Sequence, residues 1–491
     1  MGLKHSIAGH WQHIALIAIL VFAFHINHHP HANYDYPVHV DEWTILTQAK
    51  QVHRYQNYMT PDPYIRGETS TNGLEIGLVT WLVGIRHVTG LDWLFIFKWF
   101  PALVAAILAF FTYIFARRWG YGLEAALFVA LIPTNVRILG PGFLVAVSLG
   151  ITFIPLSLFL ASRFRGWKLW IPLFIISSFL LTEHPPTALA LFIVLLSHGL
   201  MSLKKDRQLM THILYSIVAA SLFSVPYFAS ILLSTPPLAG GGGFLEFGTS
   251  IPLSEIPYFF SSVAIAFAAL GIYLLSQKGR YGLIIPTGIF LVLIFLFRHL
   301  DYTLLIMPTR GYMYVMLLLS IMAGYGLYWF RSVRVSRPLR IPLLMHDRLG
   351  GIARKAPKAI YMVFLVAVLA IGLSHFYQWP YYHIITDSNY NDFVFIKENT
   401  PGDAIVLMDP WKANAFPSIG ERYIYGRIPP GPSSFFGKRN ANAGAFFAGK
   451  CANTRFLEGN NITVVYSPVK CENEDLDNPR GMIYLYSGSG S

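Results

Sequence analysis

The chain has 491 residues, of which 54% are hydrophobic and only 13% charged, with a mean hydropathy of +0.48. That charged fraction is about half of the ~25% usual for soluble domains, which excludes a soluble globular protein. The net charge of +12 does not mark a nucleic-acid binder, because the basic residues sit in short loops and no basic module stands apart.

In chain order, the opening "MGLKHSIAGHWQHIALIAILVFAFHI" has a weakly positive start and no small-residue cleavage site, so it reads as an uncleaved anchor. Apolar segments follow near 12–27, 93–116, 121–137, 142–162, 168–182, 185–203, 210–233, 258–276, 281–298, 309–330 and 358–378. They predict about eleven crossings. With the N-terminus inside, the basic loops "ARRWG" (116–120), "SRFRGWK" (162–168), "SLKKDR" (202–207), "SQKGR" (276–280) and "FRSVRVSRPLR" (330–340) all fall on the cytoplasmic side. There they can also touch anionic lipid headgroups. Counting the apolar stretch 71–90 as a crossing would reverse this, so it reads as a helix in or dipping into the outer interface.

The expected fold class is a polytopic α-helical membrane protein with a small C-terminal α/β extracytoplasmic domain. Residues 1–380 form the transmembrane domain, including an outer loop at 28–92 with interfacial helices and a second, Gly/Pro-rich one at 234–257. The second loop reads either as a lid or as a plain connector. Residues 381–486 alternate helix and short strand patterns, and "SGSGS" (487–491) reads as an appended scar that is set aside. Cys451 and Cys471 are the only cysteines. In an oxidising compartment they pair as a disulfide; two buried thiols are the alternative. The sequon Asn461-Ile462-Thr463 is a glycan acceptor wherever exported proteins are glycosylated.

Chemistry concentrates at a few places. In "VHVDEWTILTQAK", Asp41 and Glu42 precede a segment with helical spacing and no Gly or Pro. Asp41 there reads as an N-cap with Glu42 in the first turn, or as a rigidly held catalytic carboxylate. His25, His28, His29, His31 and His39 lie nearby with Asp35, without a strong ligand spacing. The weak metal candidates are Asp41 and His39. Glu183 and His184 in "TEHPPTAL" break a helix at an outer end, where they are either functional or solvated. Arg298, His299, Asp301 and Arg310 cluster in "FRHLDYTLLIMPTRGYMYVMLL". Arg310 either grips a lipid phosphate or snorkels and pairs with Asp301. Glu246 in the second loop is a further acceptor-side candidate. In the last domain Asp409, Trp411, Lys412, Arg422 and Arg427 suit a sugar or peptide acceptor, and also read as surface turns.

Taken in order, these pieces resemble the GT-C superfamily of membrane glycosyltransferases, which use polyprenyl-phosphate-linked sugars. The acidic pair in "VHVDEWTILTQAK", the span "PTRGYMYVMLLLSIMAGYGL" (308–327), and "ENTPGDAIVLMDPW" with "ERYIYGR" and "NNITVVYSP" carry the likeness. It implies an inverting transfer to a glycolipid, glycan or protein acceptor at the outer face, with Asp41 and Glu42 catalytic. Arg310, Arg298 and His299 would bind the donor phosphate. Glu183, His184, Glu246, Asp409 and Trp411 would either serve the acceptor or support the residues that do, with a divalent cation (Mg or Mn) as a possible cofactor. Oligosaccharyltransferase catalytic subunits of this superfamily carry WWDYG where this chain has "MDPWKAN", which favours a glycolipid or glycan over a protein acceptor. The acidic motif of their second outer loop has no counterpart in "TNVRILGPG" (134–142). The rival classes are a transporter, which would show repeated halves, and a non-catalytic lipid-binding scaffold.

Overall fold

The computed structural model describes residues 2–67, 69–71, 75–134, 139–234, 260–300, 306, 308–333, 346–378, 381, 383–428 and 435–487. Its contacts divide the chain into two units. One comprises Met1–Pro30, Trp99–Ser224 and Ser250–Tyr381; the other comprises His31–Lys98, Val225–Thr249 and Tyr382–Ser491.

The first unit is helical. Helix α1 (Gly2–His28) opens the chain, and α4 (Trp93–Arg117) enters the unit at Trp99. Then follow α5 (Gly122–Ala130), α6 (Ala146–Gly150), α7 (Phe153–Arg163), α8 (Trp167–Glu183), α9 (Pro185–Ser202) and α10 (Arg207–Ser234), the last running on into the second unit. Helices α11 (Ser262–Gln277), α12 (Ile284–Leu300), α13 (Pro308–Ser332) and α14 (His346–Phe376) complete it. Among the described residues, seven helices are long and apolar enough to cross a membrane, and three shorter apolar helices accompany them. The expected count of about eleven crossings is therefore not reproduced. The 121–137 run stops as a helix at Ala130, three residues before Pro133, and α8 is 17 residues long. Both fall short of the ~20 residues of a perpendicular span. The helix expected within 71–90 is α3 (Ile76–Thr89), of 14 residues.

Helix α13 is the axis of this unit and packs against α5, α11, α12 and α14. Glycines let the backbones touch. A Cβ on Gly271 of α11 would lie 1.9 Å from the Met322 carbonyl oxygen. One on Gly326 would lie 2.2 Å from that of Phe267, and one on Gly324 would lie 2.4 Å from the Ala125 nitrogen. Small residues at such crossings give the close packing on which helix association in lipid depends. At one end of this stack the buried Glu124 receives Arg331 Nε at 2.9 Å and the Tyr361 hydroxyl at 3.1 Å. A buried carboxylate so far from water requires that pairing.

The second unit joins the first loop to the C-terminal residues. It holds α2 (Val40–Tyr55), the hairpin β1 (Met59–Pro61) and β2 (Thr69–Thr71), and α3. Helix α15 (Asp387–Asn399) leads into a five-stranded sheet of order β4-β3-β5-β7-β6. Its strands are β3 (Ile405–Leu407), β4 (Tyr423–Ile424), β5 (Ile462–Tyr466), β6 (Leu476–Arg480) and β7 (Ile483–Tyr486). The first three pair in parallel, and β7 then runs antiparallel to β5 and β6. Helix α16 (Phe416–Gly420) connects β3 to β4, while α17 (Phe435–Ala448) and α18 (Thr454–Gly459) precede β5. Cys451 and Cys471 form a disulfide within this sheet's apolar core, beside Leu457, Val465 and Tyr484.

Candidate active site

Helix α2 begins with a capping arrangement that separates the roles of the two adjacent acids. The N-cap is His39 in extended conformation, two residues before the expected cap at Asp41. Its Nδ1 accepts the Asp41 N–H at 3.1 Å. Glu42 turns back, and its Oε2 accepts Val38 N–H at 2.9 Å and His39 N–H at 3.1 Å. This is a capping box with the imidazole in the place of the usual hydroxyl. Glu42 is fully buried, whereas the Asp41 side chain stays 37% exposed, 3.7 Å from His39 Nδ1. The cap displaces Asp41 to the second helical position, and its carboxylate is held at the start of a helix whose capping is done by its neighbours.

The shell around this helix start is aromatic. Tyr36 lies between Trp43 and Tyr390, with ring centroids 6.4 and 5.3 Å away, and its hydroxyl donates to Asp387 Oδ1 at 2.8 Å. Tyr34 stacks on His383 at 3.9 Å; its hydroxyl donates to Ile385 O at 2.9 Å and accepts Ile385 N–H at 3.3 Å. Burial pushes the Tyr34 phenol up against the pull of its Ile385 bond, and the Glu42 and Asp387 carboxylates add to the rise. Burial raises Tyr36 as well, aided by its Asp387 bond. Both phenols are therefore neutral donors at physiological pH. Further along α2, Lys50 donates to Ser418 O at 2.7 Å and Arg54 pairs with Glu421 at 3.8 Å. The loop also reaches the sheet, where Tyr64 O accepts Ile424 N–H at 3.1 Å. The alternating tyrosines of "NYDYP" carried the sequence signal for this docking, which sequence reasoning passed over.

The histidines of the first loop do not assemble. His28 stacks on Trp99 at 4.1 Å and His29 meets Tyr377 edge-on at 4.7 Å, both in the helical unit. His31 and His39 belong to the other unit. Among the described residues no three His, Cys, Asp or Glu side chains group so as to hold a metal. At the helix start, part of the donor set is engaged with the backbone. Both the Glu42 carboxylate and His39 Nδ1 already accept backbone N–H groups.

In the helical unit, Glu183 ends α8 fully buried, and His184 turns the chain into α9. A Cβ on Gly150 would come to 3.0 Å of Glu183 Oε2, so a glycine there lets the broken α6–α7 segment close over the carboxylate. His184 Nδ1 contacts Thr187 Oγ1 at 2.7 Å, which contacts the Tyr314 hydroxyl at 2.8 Å. Arg310, half-buried one turn before Tyr314 on α13, is near enough for its charge to act on both His184 and Tyr314. Glu183, His184 and Arg310 thus converge, with Tyr314 and Thr187 as members that the sequence did not single out. His299 is exposed in the last turn of α12 and lies against Phe295 at 4.3 Å. Arg298 occupies the same turn; its side chain, Asp301 and Glu246 lie outside the described residues.

At the end of β3, Asp409 Oδ1 accepts the N–H groups of Trp411 at 2.9 Å and Lys412 at 3.3 Å, an Asx-type turn. It leaves Trp411 52% exposed. Strand β3 lies between β4 and β5, so this turn stands at the carboxyl end of the strand where the sheet order reverses. In open α/β sheets that is where ligands collect. The other cluster members are engaged elsewhere. Arg422 Nη2 holds Lys397 O at 2.5 Å and Thr400 O at 2.7 Å, and Arg427 lies over Tyr64 at 4.0 Å and Phe436 at 5.3 Å.

The architecture has close counterparts. No protein-family model and no curated protein matches the chain. Among solved structures, the oligosaccharyltransferase of Archaeoglobus fulgidus in its apo form superposes with a TM-score of 0.56 at 12% identity. That match covers 92% of this chain and 69% of the archaeal one. ArnT from Cupriavidus metallidurans bound to undecaprenyl phosphate gives 0.51 at 14% identity over 89% and 88% of the two chains. The arabinofuranosyltransferase AftD from Mycobacteria gives 0.56 at 15%, over 93% of this chain and 35% of its own. The archaeal enzyme has also been solved with Zn and sulfate. The chain therefore has the GT-C glycosyltransferase fold, a polytopic helical membrane domain with a C-terminal sheet domain.

Proposed function

We propose that this protein is an inverting glycosyltransferase that moves a sugar from a polyprenyl-phosphate donor to an acceptor at the outer face of the membrane. The observation that carries the reading is the start of α2 within a GT-C fold. One carboxylate, Asp41, is held partly exposed on a rigid helix end while Glu42 and His39 take over the capping. The neighbours support the donor class: the archaeal enzyme has been solved with a dolichol-phosphate and ArnT with undecaprenyl phosphate. The archaeal enzyme has also been solved with a tethered acceptor peptide.

In this reading Asp41 removes the proton of an acceptor hydroxyl as that oxygen attacks the anomeric carbon. The bond from that carbon to the phosphate oxygen breaks, and the sugar inverts. Base catalysis of this kind contributes ~10²–10⁴-fold. The departing polyprenyl phosphate takes the electron pair, and Arg310, with Arg298 and His299, stabilises the gathered charge. Glu183 and His184 fix the region around Arg310, and Asp409 sets the turn that presents the Trp411 ring to a sugar. No step is assigned to a metal. The acceptor is a glycolipid or glycan, for which the exposed Trp411 face is suited.

The test is transfer from a panel of polyprenyl-phosphate sugars by the wild type and Asp41→Asn. A drop of about a hundredfold or more in a normally folded variant is expected. Unchanged transfer by Asp41→Asn would move the active site elsewhere.

A further inference from the structure

The mechanism above leaves unused a cavity of the helical unit, about 530 Å³, bordered by basic loops. It is formed where four basic loops come together: those after α4, α7, α9 and α11. By the charge bias of its loops this end is cytoplasmic.

Three cations line it, Arg165, Lys205 and Arg280, against one carboxylate, Asp206. That carboxylate is already committed. Its Oδ2 receives Arg165 Nε at 2.5 Å, and its Oδ1 caps α10 through the Leu209 N–H at 3.0 Å. Lys205 and Arg280 have no carboxylate partner among the described residues. Arg280 is nonetheless placed by a defined turn. Gly279 takes φ +64°, and Arg280 N–H returns to Leu275 O at 3.0 Å, closing the end of α11. The walls include Trp119 and Tyr281, rings of the kind that settle at the lipid headgroup level. A half-open cleft between helix ends, edged by two exposed cations without a carboxylate partner among the described residues, is an arrangement suited to lipid phosphates.

We propose that this cavity binds a phosphate-bearing anion at the cytoplasmic headgroup level, with Lys205 and Arg280 as its cationic contacts. The source is either an anionic phospholipid or a soluble phosphate, and neither depends on the proposed transfer reaction.

The test uses the full chain in detergent and two probes. Phosphatidylglycerol binding, with phosphatidylcholine as the neutral comparison, is read by native mass spectrometry, and inorganic phosphate by equilibrium dialysis. Wild type is compared with Lys205→Gln/Arg280→Gln and with the charge-preserving Lys205→Arg/Arg280→Lys. The expected result is preferential retention of phosphatidylglycerol, weakened about tenfold or more in the Gln pair and restored in the charge-preserving pair. The same pattern with inorganic phosphate alone assigns the site to a soluble anion. If neither probe separates wild type from the Gln pair, the proposal is wrong.

Discussion

Glu42 and His39 share the capping of one helix: the Glu42 carboxylate accepts the His39 N–H at 3.1 Å, and the His39 imidazole accepts the Asp41 N–H at 3.1 Å. Two adjacent acids are thereby given unequal positions, one buried in backbone bonding and one left at the surface.

That inequality predicts a crossed pattern. Glu42→Ala strands the Val38 and His39 N–H groups and lowers stability by about 2 kcal/mol. Glu42→Gln costs less, because its amide oxygen still accepts. Asp41→Asn leaves the melting temperature unchanged and lowers transfer by about a hundredfold or more. Thermal unfolding in detergent alongside a transfer assay reads both, and a stable, inactive Glu42→Gln would reverse the assignment.

Tyr34 ties the first loop to the stretch before α15 through both backbone groups of Ile385. Tyr34→Phe keeps the stack on His383 and removes only the hydroxyl. A loss of about 1–3 kcal/mol is expected, with faster proteolysis of residues 31–67. Equal protease resistance of wild type and variant would show that the loop is held by apolar packing alone.

Lys50 gives a pH dependence. Burial pushes its ammonium down, partly offset by the Asp92 and Glu421 carboxylates. Between that lowered value and the unfolded pKa of about 10.4, the unfolded chain binds more protons, so stability rises with pH across the window. It falls as pH drops through the folded value. Lys50→Met should flatten this alkaline rise in the melting temperature; a rise that persists in the variant belongs to another group.

Gly271→Ala tests the helix stack. The new methyl would meet the Met322 carbonyl, a backbone group that cannot step aside. The helices must separate, at about 1–3 kcal/mol, and Gly288→Ala, where a Cβ meets nothing, serves as the neutral control. The yield of monodisperse protein after extraction measures it.

Hydropathy and charge bias sufficed to read the membrane class, and the order of weak motifs pointed to the GT-C fold. The strands at 405–407, 462–466 and 483–486 were legible because β-branched runs stand between turns. Strand β6, "LDNPR", was not: its proline and polar residues suit only an edge, and pairing with β7 creates it. Helix α17 carries Gly444 and three asparagines or glycines more within its interior, and packing of Ala443 and Phe446 into the disulfide core holds it. The acidic pair was legible as a helix start. The division of labour within it was not, because a histidine cap lies outside the usual Ser, Thr, Asp and Asn.

The bond between Tyr34 and Ile385 spans 351 residues of sequence, and Lys50 to Ser418 spans 368. In synthesis the segment bearing Asp41 precedes the groups that hold it by that distance. Contacts of such separation form late, after the chain between them is in place. A nascent or truncated chain ending before residue 385 has its carboxylates but no mould for them, so the helix start they share is set only once the later residues have joined it.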